Sequence, residues 1–242
     1  MYAREIGGET LTFGVSGKLI MNALVMYDHQ TRTLWSQFLG QGVKGPQTGV
    51  KLDFVPVTHT QWSSWLETYP ETLVLDKGGS YQYDVYDSYY KGGSAGVIGE
   101  SRSDGRLDRK AMVVGVSAGG HTKAYPFDLL GAQPLVNDSI ACQDILVFLE
   151  RYTDTALVYD RSVDGRVLTF RLYQDGRGAQ AFFMDVETGS KWMALTGRAF
   201  EGPLAGKTLD RALSHLSFWF AWKDWNPDTE VYDGAAASSA GT

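Results

Sequence analysis

The chain has 242 residues, 43% hydrophobic, 21% charged and 13% aromatic, which excludes disorder, collagen-like repeats and coiled coil. This length can bury the core of one large or two ordinary domains. A formal net charge of −6, with no block of Lys or Arg, argues against a protein that neutralises a run of phosphates, so no nucleic-acid partner is expected.

The single cysteine, Cys142, excludes an intramolecular disulfide framework and a multi-thiolate zinc site. It is expected as a small buried apolar residue. No apolar run reaches the roughly 18 to 20 residues of a membrane span, and Met1 to Glu5 lacks the basic-then-apolar order of a signal peptide.

Residues 2–74 align without a gap on residues 159–231, at a constant offset of 157. Leu11-Thr12-Phe13 falls on Leu168-Thr169-Phe170, Asp28 on Asp185, Thr31 on Thr188, Trp35 on Trp192 and Gly40 on Gly197. Gly45-Pro46, Gly49 and Leu52-Asp53 fall on Gly202-Pro203, Gly206 and Leu209-Asp210, and Trp62, Trp65, Pro70 and Thr72 on Trp219, Trp222, Pro227 and Thr229. Trp, Gly and Pro are hard to replace for packing and backbone reasons, so the pattern predicts two copies of one structural unit. The second copy has an upstream segment that the first lacks, which predicts either a natural chain beginning part-way through a duplicated architecture or a fragment whose N-terminal portion, with any signal peptide, has been lost. The expected organisation is a first repeat over 1–76, a Tyr/Gly-rich connection over 77–109, a second repeat with its upstream segment over 110–232, and a disordered tail over 233–242.

In the first copy, Leu24–Tyr27 and Thr33–Phe38 predict a hairpin around residues 29–32, with His29 as a turn residue. A short helix follows, capped by Thr58 or Thr60, closed by Pro70, and anchored through Trp62 and Trp65 on one face. The connection carries Tyr81, Tyr83, Tyr86, Tyr89 and Tyr90 before a flexible 91–96 loop. It reads either as a stacking surface for sugars or peptides or as a link pinned across the repeats. Ala111–Val116, Gly119-Gly120 and the run from His121 predict a hairpin. In the second copy, Ala156–Asp160, a tight Asp164-Gly165 turn and Val167–Tyr173 predict a meander. Ala179–Asp185 and Ser190–Leu195 add a hairpin, and a helix bounded by Ser214 and Pro227 follows. The expected fold is mainly β, a β-rich α+β chain with two repeats of antiparallel meander sheet, each carrying one short Trp-bearing helix.

Gly115-Val116-Ser117-Ala118-Gly119 matches the G-x-S-x-G nucleophile elbow, but that motif needs a strand-to-helix turn and here precedes a hairpin turn. The four histidines, His29, His59, His121 and His215, show no metal-ligand spacing. Asp28 and His29 are neighbours on a strand and point to opposite faces, which makes them a poor acid/base pair. The Asp-Gly-Arg tripeptides at 104, 164 and 175 lack the alternating oxygens of a calcium loop, and no phosphate-cradling glycine loop is present. No cofactor, metal or assigned catalytic residue is therefore expected.

Leu11-Thr12-Phe13-Gly14-Val15-Ser16-Gly17, Leu24-Val25-Met26-Tyr27-Asp28, Leu34-Trp35-Ser36-Gln37 and the 60–70 stretch together resemble the bacterial domain of unknown function 3179. Val113-Val114-Gly115-Val116, Lys123-Ala124-Tyr125-Pro126 and Val136-Asn137-Asp138 resemble its upstream half. The resemblance covers nearly the whole chain and implies no assigned activity; its members often look exported, which implies an extracytoplasmic place if a leader has been lost. It also implies a Cys-Pro-x-Cys-Gly-Thr string before the Asp160–Phe170 stretch. Here Glu150 and Thr153 stand at those cysteine positions.

These readings favour a non-catalytic binding or interaction module of the cell envelope. A structural or assembly subunit, and a hydrolase using Ser117 or a carboxylate pair, are the alternatives. The expected binding site joins Tyr86, Tyr89 and Tyr90 to His121, Tyr125, Asn137 and Asp138. Aromatic faces with a directed acceptor suit a sugar, a peptide or a protein partner better than a phosphate.

Overall fold

A computed structural model describes residues 1–76, 78–79, 86–176 and 180–234. Tyr81, Tyr83, Ala179, Arg177 of the third Asp-Gly-Arg tripeptide and residues 235–242 of the expected tail lie outside the described residues. The chain is mainly β, with 40% strand and 12% helix. In chain order the elements are β1 (Glu5–Ile6), β2 (Glu9–Thr10), β3 (Phe13–Ile20), β4 (Ala23–Asp28), β5 (Leu34–Ser36), β6 (Gln41–Lys44), α1 (Trp62–Thr68) and α2 (Asp87–Lys91). There follow β7 (Met112–Ala118), β8 (His121–Pro126), α3 (Phe127–Ala132), β9 (Leu135–Ile140), β10 (Gln143–Glu150), β11 (Thr155–Asp160), β12 (Ser162–Val163) and β13 (Arg166–Val167). The last are β14 (Phe170–Gln174), β15 (Phe182–Asp185), β16 (Lys191–Met193), β17 (Arg198–Glu201), β18 (Ser214–Phe218), α4 (Trp219–Trp225) and β19 (Glu230–Val231).

The described residues form two compact units assembled from non-contiguous stretches, one from residues 1–57, 91–111 and 217–228, the other from described residues within 58–90, 112–216 and 229–234. The first contains the antiparallel meander β3-β4-β5-β6 around Leu11, Trp35 and Leu52. In the second, the three-stranded sheet β11-β10-β9 divides two cores. Its central strand β10 has apolar residues on both faces, and alternation sends them opposite ways. Leu146 and Phe148 join Tyr159, Phe183 and Trp192 beside the meander β14-β15-β16-β17, while Ile145, Val147 and Leu149 join Val114, Val116 and Tyr125 from the sheet containing β7 and β8.

The same local structure recurs 157 residues apart. β1, β2, β5, β6 and α1 have counterparts with both ends displaced by that number in β12, β13, β16, β17 and α4. Register breaks recur after Val15 and after Leu172. Gly40 and Gly197 show why the glycines keep the spacing: each has φ near +60°, and a Cβ would stand 2.3 Å from the Tyr2 ring or 2.6 Å from the Tyr159 ring. The Tyr2 hydroxyl donates to the carbonyls of Gln37 and Phe38, and that of Tyr159 to Ala194 and Leu195.

The tight turns follow sequence chemistry. Asp164-Gly165 and Gly119-Gly120 both have positive φ at two successive residues, as a two-residue hairpin of the right twist requires. Two expectations differ. Cys142 is exposed, because it sits in the two-residue turn between β9 and β10, where the neighbouring Ala141 takes φ +52°. The helix caps also differ: α1 and α4 begin after Gln61 and Phe218, which are extended and make no side-chain cap. The Thr60 hydroxyl accepts from Thr155, Thr58 accepts from Arg211, and Ser214 opens a strand, so tertiary partners take the groups expected to cap. Both helices do end two residues before Pro70 and Pro227, with Tyr69 and Asn226 as non-helical C-caps, since a residue preceding proline avoids the helical region.

Candidate functional site

Lys123 and Tyr125 are two residues apart on β8 and therefore point the same way, toward Asp138 on β9. Asp138 Oδ2 accepts from Lys123 Nζ at 2.7 Å and from the Tyr125 hydroxyl at 2.8 Å, while its Oδ1 accepts from the Ser139 N–H. The Lys123 ammonium lies 5.7 Å and 5.9 Å from the ring centroids of Tyr125 and Tyr232. Burial, then the Asp138 charge and hydrogen bond, push the Tyr125 phenol far above its ordinary value. Burial and Asp138 push Tyr232 up as well. The cluster thus gathers two phenols whose protonated forms are favoured around one ion pair, an arrangement that fixes strand positions.

The remaining expected site residues are placed as follows. Asn137 donates to the Phe170 carbonyl and accepts from its N–H, both at 2.8 Å, so its amide clamps β9 to β14. His121 is exposed at the corner of the β7–β8 hairpin, opposite Ala118. Tyr86, Tyr89 and Tyr90 lie at and just before α2; Tyr86 and Tyr90 are exposed, and the Tyr89 and Tyr90 rings meet edge-on at 6.1 Å. Tyr125 is fully buried and Asp138 nearly so. The structure therefore joins Tyr125 to Asp138 directly and adds Lys123, which is not among the expected site residues, on the same carboxylate oxygen. The i, i+2 spacing of Lys123 and Tyr125 on one strand was its available signal.

A second arrangement was also missed. Asp28 is fully buried and accepts from the Thr31 N–H, the Thr31 hydroxyl at 2.8 Å, the Thr33 N–H at 3.0 Å and Trp35 Nε1 at 2.9 Å. Burial pushes its carboxyl up, and the Trp35, Thr31 and Thr33 donors outweigh that and hold it below the usual carboxylate range. Asp185 repeats the pattern with Thr188 and Trp192 Nε1, the latter again at 2.9 Å. Glu150 makes a third case: it accepts from the Thr153 hydroxyl, which meets Thr155 at 2.6 Å, and Thr155 donates to Thr60 at 2.8 Å. The shared signal is an acid followed by hydroxyls at i+3 and i+5. At Glu150 no tryptophan stands seven residues on, and the hydroxyl chain borders a shallow depression, too narrow to hold a water, lined also by Phe148, Leu157 and Leu195. A buried carboxylate and a hydroxyl face each other where the resemblance implied two thiols.

The two Trp-bearing helices differ most. On α4, Trp219 and Trp222 are fully buried, and Lys223 and Asp224 nearly so. Residues 100–106 lie over it: Asp224 accepts from the Ser101 and Arg102 N–H groups at 2.6 Å and 3.0 Å. Trp219 Nε1 donates to the Asp104 carbonyl at 3.2 Å, and the Arg106 guanidinium stacks 5.1 Å from the Trp219 ring. Glu100 pairs with Lys223 at 3.1 Å and with Arg109 at 2.8 Å. On α1 the counterparts of Trp219, Lys223 and Asp224 are Trp62, Leu66 and Glu67. Trp62 is 45% exposed and Glu67 is exposed. Trp65 donates Nε1 to Thr72 at 2.9 Å, and the exposed run Leu73-Val74-Leu75 follows, flanked by exposed Glu71 and Asp76.

Among the described residues no helix is long and apolar enough to cross a membrane, and no group of three or more His, Cys, Asp or Glu could hold a metal ion. No curated protein and no solved structure matches the chain. The family model described as a protein of unknown function (DUF3179) matches residues 1–229, and by that match across nearly its whole length the chain belongs to this family.

Proposed function

We propose that the chain is a non-catalytic binding or interaction module of the bacterial cell envelope, built on a duplicated meander and working through the open face of α1. The observation that carries the reading is the contrast between Trp62, 45% exposed, and Trp219, fully buried at the equivalent position. An exposed tryptophan followed by Leu73, 95% exposed, and its apolar neighbours is the kind of surface that marks an interaction site. The non-catalytic part is supported by Ser117, which pairs with Thr122 inside the β7–β8 hairpin instead of standing at a strand-to-helix elbow. The constant offset of 157 residues supports the duplication, and the implied export of family members supports the envelope.

Panning a library of unstructured peptides on the full chain, with subtraction on Trp62→Ala, tests the reading. Binders lost in that variant are the expected result. An absence of Trp62-dependent binders, or hydrolysis of chromogenic ester, peptide or glycoside substrates that Ser117→Ala abolishes, would contradict it.

A further inference from the structure

From the clasp on α4, we infer that the open face of α1 takes an extended, basic peptide segment of a partner protein, held as α4 holds residues 100–106. The inference rests on the interaction-module reading and names the partner's chemistry. An extended segment crossing α4 uses two successive main-chain N–H groups on Asp224, one carbonyl on Trp219 Nε1 and one guanidinium on the Trp219 ring. None of these contacts except the guanidinium depends on the segment's own side chains, so the geometry is transferable to any chain that can lie extended.

On α1 the same three groups stand at the same helix positions. Trp62 offers an indole N–H and a ring face, and Glu67 offers a carboxylate one methylene longer than that of Asp224. Leu66 replaces Lys223, so the partner residue that corresponds to Glu100 must be apolar, since a carboxylate there would lose the ammonium that Glu100 faces. Glu67, Glu71 and Asp76 are all exposed along this stretch and give the face a negative rim, which selects Arg or Lys in the partner and disfavours acidic segments. The chain's own 100–106 segment is committed to α4, and the inferred occupant of α1 is a segment of another protein.

The probe is a fluorescent synthetic peptide of residues 96–110 carrying Glu100→Leu, titrated by anisotropy into the full chain. Binding should weaken about tenfold in Trp62→Ala, through loss of the ring and its N–H, and by a similar factor in Glu67→Lys, which reverses the charge that receives the main-chain N–H pair. The unmodified peptide, with Glu100, should bind about fivefold more weakly than the Leu form. Both substituted positions are exposed, and matching thermal transitions of the variants establish that they fold. Binding of the peptide that neither variant changes, or no binding at all, overturns the inference. If library panning yields Trp62-dependent peptides while this peptide fails, the module reading stands and the clasp-like mode falls; if neither binds, both fall.

Discussion

Asp28→Ala is expected to cost about 3–5 kcal/mol of folding stability, because it strands the buried Thr33 N–H and Trp35 indole N–H together with both donors of Thr31. Chemical denaturation of the full chain measures it. Asp185→Ala should behave alike, since Trp192 and Thr188 depend on that carboxylate in the same way. The effect has a pH signature at Asp28. Its folded carboxyl is held below the ordinary value of about 4, so its contribution is complete above that value and is lost as pH falls through the lower folded one. The stability difference between the wild type and Asp28→Asn should therefore shrink on the acid side and stay level at neutral pH. A difference that grows with acid would mean that burial, and not the four donors, dominates this carboxylate.

Asp224→Ala is expected to cost about 3–5 kcal/mol, since it removes the acceptor of two successive N–H groups and one of the two acids beside a lysine that is 1% exposed. Glu67→Ala, at the equivalent position of α1, should stay within about 0.5 kcal/mol, as surface substitutions do. Urea midpoints of the two variants give the comparison directly. Equal costs would mean that α1 is covered as α4 is, and would remove the basis of the proposed function.

The offset of 157 residues was legible because it is carried by Trp, Gly and Pro, whose roles are local: an indole filling a core, a positive φ at Gly40 and Gly197, a helix end before Pro70 and Pro227. Turns written as Asp-Gly or Gly-Gly were legible for the same reason. Cys142 was not, because Ile140-Ala141-Cys142 reads as apolar and nothing in those letters marks a turn with φ +52° at alanine. The helix starts were misplaced because Thr58, Thr60 and Ser214 are good caps by type, and only the tertiary structure shows their engagement elsewhere. Tyr125 and Asp138 read in sequence as an aromatic face and a directed acceptor, yet their mutual hydrogen bond and burial depend on how β8 meets β9. The contrast between the two helices was the least legible feature. WSSWLET and WFAWKDW look like equivalent anchors, and the difference lies in a separate segment, 100–106, that covers one of them.

The most direct test of the central claim, that α1 presents an uncovered tryptophan while its counterpart is sealed, is ¹⁹F NMR of the chain with all seven tryptophans replaced by 5-fluorotryptophan. The resonance assigned to position 62 by Trp62→Phe should show a solvent isotope shift between H₂O and D₂O and should move on adding a Trp62-dependent library peptide. The resonances of positions 35, 192, 219 and 222, whose side chains are fully buried, should do neither. A position 62 resonance without an isotope shift, or one unmoved by the peptide, would contradict the account.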